Sequence, residues 1–320
     1  MTTRTVAGCG GVELSVVDEG SGPVVLLVHG FPELAYSWRH QVAALAAAGH
    51  RVLAPDMRGY GASGRPEAVT DYDIEHLTGD LVALLDDIGA AQAVVVGHDW
   101  GSIVAWNFAL LHPGRTVAVV GMSVPFVPRP PAPPITIMRQ LFADNFFYMV
   151  YFQEPGVADA DLGRDPARVM RNLLTARATP DSPPDPAAFA NDGRGFADRI
   201  PESTGLPDWL TEADVAVYAD TFTRTGFTGG INWYRNLDRN WELTAAVADR
   251  HVTAPSLFVG GGDDPVLNMT PPAVAEGWLD DHRGDVIVPG AGHWVQQEDP
   301  EAVNAALLRF LDSLDLPGRD

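Results

Sequence analysis

The sequence predicts an α/β fold, a mostly parallel sheet flanked by helices and interrupted by a mainly helical insertion. Three observations carry this. Short all-apolar runs such as Val24–Val28 alternate with amphipathic stretches over the first 125 residues, as buried strands joined by crossover helices do. The run PFVPRPPAPP at 125–134 then breaks the alternation, because proline fits neither a helix interior nor a central strand. Strand-like runs return at Ser256–Val259 and Asp285–Val288, so the sheet resumes after roughly 120 residues. The expected organisation is a core over 1–125, a helical cap over 126–245 and the rest of the core over 246–320.

The elements follow in order. Residues 4–8 and 12–17 flank a GCGG turn and predict an opening hairpin. Val24–Val28 is a strand buried on both faces, 35–48 a helix ending near Gly49, and Arg51–Ala54 a short strand. Ile74, Leu77, Leu81, Leu84, Leu85 and Ile88 recur at helical spacing. Ala93–Val96 is a buried strand, Ser102–Leu111 a helix stopped by Pro113, and Val117–Gly121 a further strand. The inserted segment is rich in helical patterns and aromatics, with an exposed loop expected at TPDSPPDP, 179–186. Helices are expected at 271–280 and 301–313.

Composition narrows the function. Among 320 residues, 42 acidic against 21 basic side chains give a net charge of -21. That disfavours nucleic acid and anionic membrane surfaces, both of which need clustered cations. One cysteine, Cys9, excludes an intrachain disulfide and a cysteine-based metal site. The start of the chain has no long apolar stretch, and no apolar run approaches the ~20 residues of a spanning helix. The expectation is a soluble, cytoplasmic protein.

The chemistry concentrates in a few loops. The strand AVVVG runs into His98-Asp99-Trp100-Gly101-Ser102 and a helix. Small-x-nucleophile-x-small at a strand-to-helix turn is a nucleophile elbow, with Asp99 at its apex. A carboxylate there is already ionised and suits attack at an sp³ carbon. His29-Gly30-Phe31-Pro32-Glu33 follows the Val24–Val28 strand, where the amides of Phe31 and Trp100 can form an oxyanion hole. Of nine histidines, His293 stands in a glycine-rich loop after a late strand, the position of the base in this chain order. Asp263 and Asp264, after the Ser256–Val259 strand, are candidates to orient it. His29 and His98 are expected to be structural.

Together, HGFPE at 29–33, DMRGYGAS at 56–63, GHDWGS at 97–102, YFQEPG at 151–156, NWYRN at 232–236 and GAGHW at 290–294 resemble epoxide hydrolases of the α/β-hydrolase fold, closest to the soluble type. HGFP and GHDWG are shared with neighbouring families; YFQEPG and NWYRN are more specific. The resemblance selects Asp264 over Asp263 and implies two cap tyrosines on the epoxide oxygen, Tyr148 and Tyr234; Tyr151 is the competing choice and Tyr218 a weaker one. It implies an ester on Asp99, its hydrolysis by water activated by His293, and a vicinal diol as product. No cofactor or metal is expected; the partners are a small uncharged epoxide and water, and the protein is expected to be a monomer or homodimer. The rival readings are a haloalkane or haloacid dehalogenase using the same aspartate, and a non-catalytic binding protein of the same fold. Glu33 has no role at this level.

Overall fold

A computed structural model describes residues 1–176 and 189–316; the loop expected at 179–186 lies outside them. Eight strands form one sheet: β1 (Thr3–Ala7), β2 (Glu13–Gly20), β3 (Val24–Val28), β4 (Arg51–Pro55), β5 (Ala93–His98), β6 (Thr116–Met122), β7 (Ser256–Gly261) and β8 (His282–Val288). Their order is β1-β2-β4-β3-β5-β6-β7-β8. The β1–β2 and β2–β4 pairs are antiparallel and the others parallel.

Every residue of β5 is buried, which is why its sequence reads as an uninterrupted apolar run. Its side chains alternate between two cores. Val95 packs on the side of the helices α2 (Ile74–Asp87) and α3 (Trp100–Leu111), with Leu77, Leu81 and Val104. Val94 and Val96 pack on the side of α1 (Arg39–Ala47) and the C-terminal helix Pro300–Asp312, with Val42 and Phe310. Helix α2 starts where Asp73 accepts the His76 amide, a side-chain N-cap that satisfies one of the donors the first turn leaves unpaired.

The chain leaves β3 for β4 on one side and returns to β5 on the other. The loops after β3 and β5 therefore face each other across a crevice at the C-terminal ends of the strands, where this topology places ligands.

Between β6 and β7 the described residues hold α4 (Pro134–Leu141), α5 (Tyr148–Tyr151), α6 (Val157–Leu162), α7 (Pro166–Thr175), α8 (Glu212–Thr225), α9 (Thr228–Arg235) and α10 (Leu237–Leu243). Phe152, Phe222 and Trp233 from this segment join the core on the α2–α3 side. Helix α9 seats directly on the loop after β4: a Cβ on Gly229 would strike the backbone of Gly59, and the Trp233 indole donates to the Arg58 carbonyl at 3.3 Å. Arg58 is itself buried against Asp80 at 2.6 Å, so the seat is rigid. After β7 come α11 (Pro265–Met269), α12 (Val295–Glu298) and α13 (Pro300–Asp312).

Four expectations change. The helix expected at 35–48 opens as a 3-10 turn over Ala35–Trp38. Helix α3 starts at Trp100, before Ser102. Strand β8 starts at His282, before Asp285. The helix expected over 271–280 is a single 3-10 turn, Pro272–Ala275. Pro271 and Pro272 suit a first turn, but Glu276 leaves the helical region with ψ 131 and Gly277 takes φ 80, so the turn does not propagate.

Candidate active site

Asp99 follows β5 with φ 54 and ψ -119, a backbone conformation that costs a non-glycine residue roughly 1–3 kcal/mol. The surroundings hold it there. Its amide donates to the Met122 carbonyl at 3.1 Å, and its own carbonyl accepts from Ser102 at 3.0 Å. The glycines of the motif are required by contact: a Cβ on Gly97 would strike the Gly101 carbonyl, and one on Gly101 the Val28 carbonyl. The strain thus lifts the carboxylate out of the sheet into the crevice. There Asp99 Oδ1 accepts from the Phe31 amide at 2.7 Å. Gly30 lies so close that a Cβ would sit 2.5 Å from that of Asp99. The Phe31–Pro32 peptide is cis. Trp100 opens α3, so its amide is among the helix N-terminal donors with no partner inside the helix.

His293 stands after β8. Its Nε2 is 3.7 Å from Asp99 Oδ2, and its Nδ1 is 3.0 Å from Asp264 Oδ2. Asp264 is the N-cap of α11, accepting from the Val266 amide at 2.9 Å. Burial works against a charge on His293, but the Asp264 and Asp99 carboxylates outweigh it and hold its pKa well above the usual histidine value. Burial likewise pushes the Asp264 pKa up, and His293 with the Val266 amide pulls it below the usual value. Asp263 gives its amide to the Ala291 carbonyl at 2.9 Å; of the two neighbours, Asp264 is the one that meets His293.

The two expected tyrosines come together above this group, with ring centroids 5.8 Å apart. Tyr234 on α9 packs edge-on to Trp100 at 4.9 Å and to Phe31 at 5.3 Å, the two residues that flank Asp99. Burial, reinforced by the Asp99 charge, pushes both phenol pKa values well up, so both hydroxyls stay protonated. The two specific motifs turn out to be one joint. Gln153 donates to the Tyr234 carbonyl at 3.0 Å. Arg235 donates to the carbonyls of Phe152 and Glu154 and pairs with Asp159 at 2.5 Å. YFQEPG and NWYRN thus fix α5 against α9, and with them the two rings. The competing choice, Tyr151, and the weaker one, Tyr218, have partners elsewhere. Burial and a hydrogen bond to Asp161 push the Tyr151 pKa up to about 12, and the Tyr218 hydroxyl contacts Ser37 and Gln297.

Sequence reasoning missed the support beneath the site. Glu33 and His98 are both fully buried and meet at 2.7 Å. Glu33 also accepts from the Gly30 amide at 2.9 Å and from Gln296 at 2.8 Å. The other nitrogen of His98 lies 2.7 Å from the His293 carbonyl. Burial pushes the Glu33 pKa up, but His98, His29 and the Gly30 amide outweigh it and hold it at about 2. Ser123 donates to the same His293 carbonyl at 2.8 Å. One buried cluster therefore pins the Phe31 loop, the strand bearing Asp99 and the loop bearing His293. His29 plays a parallel part: its Nδ1 faces the Gly30 carbonyl at 2.9 Å and its Nε2 accepts from the Met57 amide at 3.0 Å. The only sequence signal was an acid placed directly after HGFP.

Among the described residues no group of three or more His, Cys, Asp or Glu side chains could hold a metal ion. The site offers a carboxylate, a paired histidine, an amide donor and two neutral phenols.

Comparison with known proteins follows the same lines. Residues 23–300 match a family model described as the alpha/beta hydrolase fold. The chain is 53% identical to Epoxide hydrolase A of Mycobacterium tuberculosis, covering 98% of both chains. It is 42% identical to Epoxide hydrolase 1 of Siraitia grosvenorii, covering 94% of this chain and 95% of the relative. Among solved structures, Epoxide Hydrolase A from Mycobacterium thermoresistibile superposes with a TM-score of 0.93 at 54% identity, over 98% of this chain and 99% of the other. An epoxide hydrolase from an endophytic Streptomyces superposes with a TM-score of 0.92 at 42% identity, over 97% and 95%.

Proposed function

The chain belongs to the epoxide hydrolases of the α/β-hydrolase fold, and from that premise we propose that it opens its substrate through a covalent ester on Asp99. The observation that carries the mechanism is the setting of the Asp99 carboxylate, with one oxygen on the Phe31 amide and the other facing His293. In the first step Asp99 attacks one ring carbon and the carbon–oxygen bond breaks. Tyr148 or Tyr234 gives its proton to the departing oxygen. The raised phenol pKa values support this role, since a weak acid is better matched to an alkoxide and stays loaded at neutral pH.

The second step follows from the charges. Esterification removes the negative charge of Asp99, one of the two groups that hold the His293 pKa up. The new phenolate takes up the proton that His293 then releases. Neutral His293, oriented by Asp264, removes a proton from water as it attacks the Asp99 carbonyl carbon. The Phe31 and Trp100 amides face the oxyanion. Collapse of the adduct sends one proton of the water to the leaving alcohol and leaves the other on His293. A vicinal diol departs and the starting charges return.

This reading takes residues 126–245 as a cap carrying both phenols, supported by the run of helices from α4 to α10. Among the described residues no helix is long and apolar enough to cross a membrane, and we place the protein in the cytoplasm. A single turnover in ¹⁸O-water tests the ester: label is expected in the Asp99 carboxylate on peptide mass analysis. Label confined to the diol would instead mean direct attack by water. Halide release from chloroalkanes without diol from an epoxide would favour the dehalogenase reading.

A further inference from the structure

Residues 294–297, directly after His293, are all buried, and two of them bond out of the core to the inserted helices. The first is Trp294. Its indole stands edge-on to the His293 ring, with centroids 4.9 Å apart at 74°. The His98 ring approaches His293 to 5.0 Å. Asp264 holds the imidazole through Nδ1, but a bond at one nitrogen leaves a ring free to swing about it. The two neighbouring rings limit that swing.

The indole is itself tied at both ends. The Trp294 backbone amide donates to Glu298 Oε1 at 3.0 Å, and Nε1 donates to the Leu173 carbonyl at 3.2 Å. Leu173 lies in the last turn of α7, where carbonyls run out of helical partners. Its other donor is the Ala176 amide at 3.3 Å. Trp294 thus reaches from the histidine to the inserted segment and completes a helix end there.

The second residue is Gln297, whose amide donates to the Trp294 carbonyl at 2.8 Å. Its Oε1 accepts from the Tyr218 hydroxyl of α8 at 3.0 Å and from Arg39 at 2.7 Å. Arg39 also pairs with Asp214 of α8 at 3.3 Å, and Tyr36 donates to the same carboxylate at 2.7 Å. Helices α7 and α8 pack on each other, so one helix pair grips the segment after His293 at two points. Helix α9, which carries Tyr234, seats elsewhere, on the Gly59 backbone and the Arg58 carbonyl. The histidine and the phenol are braced by different parts of the insertion.

We propose that Trp294 is a positioning residue for the second half of the reaction: seated on α7 by its indole N–H, it holds the His293 ring in line with the water that attacks the ester. The inference rests on the covalent mechanism above and deepens it. Attack by Asp99 requires no base, because the carboxylate is already ionised, so ester formation does not depend on this brace. Removal of the water proton does, since a general base must lie within hydrogen-bond reach of the proton it takes.

Trp294→Phe keeps a ring beside His293 and removes the donor to Leu173. Rapid mixing with styrene oxide, followed by intact-protein mass spectrometry, reads the appearance of the ester and its decay. Formation is expected to stay within about two-fold of the wild type while decay slows about ten- to a hundred-fold, the cost of a misplaced catalytic group. In the steady state kcat should fall and KM fall with it, because the ester accumulates. Trp294→Leu, which loses the ring as well, should decay more slowly still. Tyr218→Phe tests the brace from the inserted side; it should slow decay to a lesser degree and leave formation unchanged. Decay at the wild-type rate in Trp294→Phe, or equal slowing of both steps alongside a lower Tm, would overturn the proposal and leave the hydrolase reading intact. If the Trp294 variants fail to fold, unchanged decay in Tyr218→Phe would overturn it equally. Wild-type turnover with no ester at any time would count instead against the covalent mechanism, and this inference would fall with it.

Discussion

The two sides of the crevice are built by opposite means. On the sheet side, Asp99, Asp264 and His293 carry or share charge, and backbone geometry and buried hydrogen bonds hold them. Glycines are forced by contact, a strained residue is clamped at both ends, and Glu33 and His98 are fully enclosed. On the helical side, Tyr148 and Tyr234 are neutral and sit among rings, with Phe152 about equally close to both, at 5.6 and 5.1 Å. Charge needs a fixed polar frame, because an unpaired ion in a dry site costs several kcal/mol. A phenol that only lends a proton, as proposed for Tyr148 and Tyr234, can be held by shape. The sheet side should therefore fail abruptly when altered, and the helical side by degrees.

The sharpest break is expected at His293. His293→Gln should lower steady-state turnover by about 10⁴-fold or more, while one equivalent of ester still forms. Intact-protein mass spectrometry after mixing with substrate would show the adduct; an unmodified protein would transfer the base's role to another group. Next comes Glu33→Gln, which leaves His98 facing a neutral partner in a fully buried site. Removing one member of a buried pair destabilises by roughly 3–5 kcal/mol, to be read from denaturant midpoints. Little change there would place the support of the loops outside this cluster.

Across the crevice, Tyr148→Phe and Tyr234→Phe should each slow ester formation by about 10²–10³-fold, as loss of one donor to a developing oxyanion does, with thermal stability nearly unchanged. The pair should be worse than either alone. Equal losses for one and both would mean that a single phenol donates.

The smallest effect concerns pH. The folded His293 pKa lies above its unfolded value because Asp264 and Asp99 outweigh burial. Its stabilising contribution is thus fully present below the unfolded histidine value, near 6.5, and is lost as pH rises through the folded pKa. Asp99→Asn removes one of the two carboxylates and should bring that loss to lower pH in urea titrations. An unmoved profile would mean that Asp264 alone sets the pKa.

What could be read from the sequence follows the same division. The elbow was legible because its constraint is local: Gly97, Asp99 and Gly101 collide with one another's surroundings unless they are small, turned and small. Asp264 was separated from Asp263 only by resemblance, although its place directly before Pro265 is that of a helix N-cap. The partners of Glu33 were illegible, because His98 and Gln296 lie 65 and 263 positions away and no spacing rule joins them. The tyrosines came only through resemblance. NFFYMVYF offers two similar phenols, and it is the docking of α5 on α9 that turns one inward and leaves the other on Asp161. The segment 271–280 misled because its apolar residues and opening prolines suit a helix start, while Gly277 ends the turn at once.

The His293 peptide shows what this framing is for. Its carbonyl is gripped by His98 on one side and Ser123 on the other, while its ring packs against His98 and Trp294, meets Asp264 at 3.0 Å and faces Asp99 at 3.7 Å. The ordering of the main chain is completed once, when the protein folds. In the proposed cycle just a ring and a proton have to respond, so the same histidine would serve both halves of the reaction without the loop rearranging between them.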